Sequence, residues 1–140
     1  MAWTTPVTDR ESGAICTTTD MNRISQNIDW LATELTSAQL YSGGTVSKTS
    51  WTTNDYITVA NWTEILTVLT DMVDALAVTA AGSPDESQTY ENYNLVEDIT
   101  LQIYNRYQFL LSQANLNKYA GQTDLYSRSV PPAYAGGLAV

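Results

Sequence analysis

"TTTDMNRISQNIDWLATEL", residues 17–35, decides the fold. Met21, Ile24, Ile28, Leu31 and Leu35 recur at helical spacing and form one apolar stripe, with Trp30 on its flank. Asp20 stands where the stripe begins, and its carboxylate is a good N-cap for the free N–H groups of a first turn. The pattern predicts a helix from about Met21 to Leu40. Polar Asn22, Arg23 and Asn27 crowd its first turns, as either a site or a scaffold.

Downstream, "YSGGTVSKTS" breaks the period, and Gly43 and Gly44 suit a left-handed C-cap or a turn. A second helix is predicted from Val59, capped by Thr58. Val59, Trp62, Ile65, Leu66, Leu69, Met72, Val73 and Leu76 give it a broad apolar face. "AAGSPDESQ" ends it, because Pro84 cannot continue a helix. A third helix is predicted from Tyr90, capped by Thr89, to about Gln113–Asn117. Its stripe is Leu95, Val96, Ile99, Ile103, Phe109 and Leu110, with Tyr104 and Tyr107 beside it.

The expected fold is all-α: an antiparallel three-helix bundle over residues 20–117. An extended arm (1–19) precedes it and an extended tail (118–140) follows. Connectors of 15 to 20 residues are long for a bundle, and such segments are either functional or packed against something. Trp-Thr-Thr occurs before helix one at Trp3 and before helix two at Trp51. The echo reflects either chance or similar packing of each Trp, and two units fall short of a repeat architecture.

The net charge is −9, and the six Lys and Arg residues are scattered singly. Nucleic-acid binding needs a basic stripe, so DNA and RNA are not expected partners, nor is an anionic membrane. Only 15% of residues are charged, which leaves a neutral, hydrogen-bonding surface rich in Thr, Ser, Asn and Gln. Such a surface suits either contact with other proteins or a plain Thr-rich domain. The N-terminus reads as no signal peptide, and no apolar run is long enough to span a bilayer. The expectation is a protein made in a cytoplasm.

There is no histidine, which removes the commonest general base and metal ligand. The single cysteine, Cys16, excludes an intrachain disulfide. Paired carboxylates such as Asp71 with Asp74, or Glu97 with Asp98, are local pairs of the kind solvated helix faces carry routinely. "DMNR" lacks the glycine and the closing glutamate of a calcium loop. "YSGGTVSKTS" lacks phosphate-loop spacing, and the Asn61 sequon falls inside a predicted helix. No catalytic residue, cofactor or metal is expected. Arg23 with Glu97 would lock helix register if buried together. Spacing alone favours separate surface positions for Asn22, Arg23, Asn27, Asn94, Glu97 and Arg106.

The order of motifs changes that balance. "TDR" (Thr8, Asp9, Arg10) is followed by D-x-N-R-I (Asp20, Asn22, Arg23, Ile24) and N-x-x-x-L (Asn27, Leu31). A W-T-x-x-D segment comes next (Trp51, Thr52, Asp55), then Thr58. Pro84 and T-Y-x-x-x-N-x-x-E (Thr89, Tyr90, Asn94, Glu97) complete the series. Over residues 8 to 105 this order resembles a family of small structural proteins from the tail region of phages and prophages of Gram-positive bacteria. Members often carry a longer helical insert after "TDR", where this chain has "ESGAICTTT", and the C-terminal tail matches no family pattern. The resemblance implies a non-enzymatic virion component of a tail or baseplate. Its partners would be other virion proteins and copies of itself. Asp20, Asn22, Arg23, Asn27, Asn94 and Glu97 would form a structural network in which Arg23 and Asn27 tie helix one to helix three. Trp3, Trp51, Tyr119, Tyr126 and Tyr134 would serve assembly. The alternative is a small module that binds a host-surface glycan or protein through its Trp and Tyr residues.

Overall fold

The computed structural model describes residues 3–80 and 82–126, with side chains described to residue 114. It contains three helices, α1 (Thr18–Ser37), α2 (Val59–Leu76) and α3 (Tyr90–Tyr126), and no strand among the described residues. The fold is all-α, as the periodicity predicts. The chain divides into two compact units, Met1–Arg106 and Tyr107–Val140. The first holds α1, α2 and the start of α3; the described part of the second is the rest of α3.

A threonine opens every helix. Thr17, Thr58 and Thr89 accept the N–H of Asp20, Asn61 and Asn92 at 3.2, 3.1 and 3.2 Å. Asp20 is therefore not the N-cap expected of it. It sits three residues into α1 and accepts the Thr17 N–H in return at 2.9 Å. That reciprocal box satisfies two orphan donors where an Asp cap would satisfy one. The C-terminal ends of α1 and α2 turn on Gln39 (φ 61°) and Ala77 (φ 54°), not on glycine. Leu40 donates to Leu35 O at 2.9 Å and Val78 to Val73 O at 3.0 Å, closing a Schellman turn at each. Gly43 serves a different need. A Cβ there would lie 2.4 Å from the hydroxyl oxygen of Tyr41, which donates to Gly44 O at 2.6 Å.

The apolar stripes meet in one core. Met21, Ile24, Ile28, Leu31 and Leu35 of α1 face Trp62, Ile65, Leu69, Met72 and Leu76 of α2, with Val96, Ile99 and Ile103 of α3; all are buried. Each such side chain contributes about 1.5–3 kcal/mol of transfer free energy. Val59 departs from the expected face and is 64% exposed, because it opens α2 at the end of the bundle.

The helix directions overturn the expected antiparallel order. Trp62 packs edge-on to Tyr93 at 5.3 Å near the start of α2, while Arg106 donates to Leu76 O at 3.0 Å at its end. Position therefore rises together along α2 and α3. The same holds for α1 and α3, where Arg23 meets Glu97 and Trp30 meets Tyr104. All three helices run parallel. A parallel neighbour requires the chain to return the full helix length, about 27 Å for an 18-residue helix. The long connectors, residues 38–58 and 77–89, make those returns.

Each return is extended and lies against two helices. In the first, Thr45 binds Asp29, Thr49 accepts from Gln26 and Trp51 pairs with Asn22 of α1, while Ser47 binds Glu64 of α2. In the second, Asp85 O accepts from Trp62 of α2 at 2.8 Å, and the Asp85 N–H donates to Asn92 of α3 at 3.2 Å. The N-terminal arm completes the set between α1 and α3. Its order is reversed against both helices: Trp3 lies at Tyr104, Thr4 at Asn27, Val7 at Glu97 and Arg10 at Asn94. Strip and helix thus alternate three times within Met1–Arg106.

The third helix also outruns its expected end. It continues to Tyr126, so residues 118–126 are helical instead of extended. No proline occurs between Tyr90 and Pro131, and an internal glycine such as Gly121 costs only about 1 kcal/mol. Residues 127–140, with Tyr134, lie outside the described residues.

Candidate functional site

The densest polar cluster lies where the arm crosses the starts of α1 and α3. Glu97 is at its centre, with 1% of its side chain exposed. Arg23 of α1 grips it twice, from Nε to Oε1 at 2.7 Å and from Nη2 to Oε2 at 2.8 Å. Arg10 of the arm donates from Nη2 to Oε2, and the Val7 N–H donates to Oε1 at 3.2 Å. Each carboxylate oxygen therefore accepts two hydrogen bonds, which fills the four lone-pair positions. Asp20 balances the second guanidinium, accepting from Arg23 at 2.6 Å and from Arg10 at 3.2 Å. Two cations meet two anions, and the cluster is neutral. Pairs of this kind recover their desolvation cost only with such complete bonding.

The electrostatics follow from that arrangement. Burial opposes ionisation of Asp20, but hydrogen bonds from Thr17 and Arg23 with the Arg10 charge outweigh it and hold the carboxyl below its ordinary value. Arg23 is held more firmly protonated, chiefly by its bonds to Glu97. Cys16 and Tyr93 stand at the edge, and the Arg10 guanidinium lies 5.8 Å from the Tyr93 ring centre. Desolvation, reinforced by Asp20, pushes the Cys16 thiol up to about 11. Desolvation also raises Tyr93. Both side chains are neutral at physiological pH.

Around this centre, asparagines hold main chain. Asn27 accepts the Thr4 N–H at 2.9 Å and donates to Thr4 O at 2.7 Å. Asn94 does the same with Arg10, at 3.0 Å in both directions. Asn22 clamps Trp51 at 2.7 and 3.2 Å. A primary amide presents one donor and one acceptor side by side. Each clamp therefore closes a two-bond ring on a single residue, as a neighbouring strand would.

The expected network is partly regrouped. Asp20, Arg23 and Glu97 come together as one ionic cluster, and Arg23 ties α1 to α3. Asn27 does not bridge those helices; it is spent on the arm. Asn94 belongs beside the cluster through Arg10, and Asn22 lies apart on the first return. Arg10 is the member that spacing missed. The only signal was its place in "TDR", since an extended segment has no period that points a side chain at a helix.

Trp3 and Trp51, expected at assembly contacts, pack within the chain. Trp3 stacks on Tyr104 with centroids 4.1 Å apart and tilts against Trp30 at 5.9 Å. Trp51 is 5% exposed, with the Lys48 ammonium 4.9 Å from its ring and an indole N–H without a partner. The two Trp-Thr-Thr segments are thus packed differently and share only an asparagine clamp. Tyr119 and Tyr126 lie on α3, and their side chains are outside the described ones.

No group of three or more potential metal ligands occurs among the described residues, and no helix there is long and apolar enough to cross a membrane. A shallow apolar depression of about 170 Å³, lined by Leu66, Leu69, Val73, Pro84 and Ile99 among others, carries no acidic, basic or nucleophilic constellation. Comparison with protein-family models, curated proteins and solved structures returns no match.

Proposed function

We propose that the chain is a non-enzymatic structural protein of a phage particle, a component of the tail or baseplate that joins other virion proteins and copies of itself. One observation carries the non-enzymatic part. Glu97, the most buried carboxylate among the described residues, has every lone pair engaged by the chain's own donors, so it offers no proton acceptor to a substrate. The clamping amides are likewise spent on main chain. A general base must reach a substrate proton within hydrogen-bond distance. The motif order from residue 8 to 105 supplies the phage setting. The net charge of −9 and the scattered cations support protein partners over nucleic acid or membrane.

Immunogold electron microscopy with antibody against the chain tests the setting. Gold at one fixed place on intact particles is the expected result. Gold absent from intact particles would overturn it and favour a host-directed binding module. Deleting residues 118–140 tests the assembly role: helical circular dichroism of the remaining chain persists, while light scattering loses the assembled species.

A further inference from the structure

We infer that the N-terminal arm, residues 3–10, is an exchangeable strap whose groove between α1 and α3 also accepts the arm of a second copy of this chain. The inference deepens the assembly reading above, which it needs only for its setting in a particle.

Two features carry it. First, the arm's docking rests on specific polar contacts. Asn27 holds Thr4, Asn94 holds Arg10, and Glu97 takes the Val7 N–H and the Arg10 guanidinium. An empty groove would leave Asn27 and Glu97, each about 1% exposed, short of partners. Such vacancies are costly, so the groove requires a segment of this same pattern. An identical arm from a neighbour supplies every contact unchanged.

Second, the joint is built to open. Residues 11–15 are exposed, and one turn bond, Ala14 N–H to Glu11 O at 3.0 Å, folds the arm back toward α1. Gly13 holds φ at +93°, where a side chain would be strained, and no atom would lie within 4 Å of a Cβ placed there. Straightening the turn breaks that one bond and frees Gly13 from its special conformation. Because contacts in cis and in trans are the same, their balance is set by concentration. A short tether gives the chain's own arm an effective concentration on the order of millimolar. Dilute protein therefore keeps its own arm, and copies packed side by side trade arms. Exchange of identical elements about a short hinge is a low-cost route to association.

The test uses the full chain in solution, without particles. Deleting Ser12–Ala14 shortens the joint so that the arm no longer folds back. This variant should form dimers or larger species by light scattering with helical circular dichroism intact. Adding Arg10→Ala to it should weaken association at least tenfold, since the substitution removes bonds to two carboxylates. A shortened Arg10→Ala chain has a sound groove, and a shortened Asn94→Ala chain has a sound arm. Their mixture should associate better than either alone. A shortened chain that stays monomeric and folded overturns the inference, as does association indifferent to Arg10→Ala. If the shortened chain does not fold, natural-sequence protein is refolded at millimolar concentration. A slowly dissociating oligomer that Arg10→Ala removes supports exchange, and its absence overturns it. Gold labelling of particles reads the phage setting separately, so either conclusion can fall without the other.

Discussion

Glu97 joins three segments of chain at one carboxylate, so its substitutions should be among the most costly in the molecule. Glu97→Gln leaves two guanidinium groups without their common anion, and Arg10→Ala leaves Glu97 short of a partner. Breaking a buried pair from one side costs roughly 3–5 kcal/mol. Urea unfolding of each variant should show a loss of that size, and the double variant should lose less than the two added together because the sites are coupled. Asp20 gives the pH dependence. Its folded pKa lies below the ordinary value of an aspartate, so the stability it supplies is present above that ordinary value and is lost as pH falls through the folded pKa. Urea midpoints across the acid range should fall less steeply in Asp20→Asn than in the natural chain. Cys16, raised to about 11, should react slowly with a disulfide reagent at pH ~8, because the thiolate is the nucleophile. The Arg23–Glu97 pair was legible from the order of motifs and not from helical spacing, which alone favoured separate surface positions. Arg10 was not, since nothing in an extended strip specifies which groove it enters.

Helix ends are the elements most open to adjustment. Thr17→Ala, Thr58→Ala and Thr89→Ala should each cost about 1 kcal/mol in thermal unfolding, with Thr17 the largest because its box is reciprocal. Gln39 and Ala77 take left-handed positions that disfavour any side chain. Gln39→Gly and Ala77→Gly should therefore stabilise by about 0.5–1 kcal/mol each, an outcome a rise in melting temperature would register. Thr58 and Thr89 were readable as caps because each precedes an apolar period. Thr17 was hidden by the neighbouring Asp20, a strong cap by type that the box instead recruits as its second member. The Schellman turns were not readable, since glycine, their usual marker, stands elsewhere.

Parallel helices make the returns structural members, and connector length becomes a constraint on the whole molecule. The return from α2 to α3 has to span about 27 Å, which needs at least about eight extended residues at ~3.3 Å each. Trimming residues 77–89 below that number should detach the start of α3 and abolish cooperative unfolding by circular dichroism. A functional five-residue connector would instead point to antiparallel packing. The three apolar stripes were legible, but stripes carry no sense of direction. The long connectors held that information: an antiparallel pair needs only a few residues between helices. The same topology also sets an order in time. Arg10 bonds to residues 84 and 87 positions further along the chain. During synthesis the arm leaves the ribosome well before α3 and must therefore wait until α3 has emerged before it can dock. Its loop-closure entropy falls due last, and a nascent chain halted before Glu97 carries its arm free.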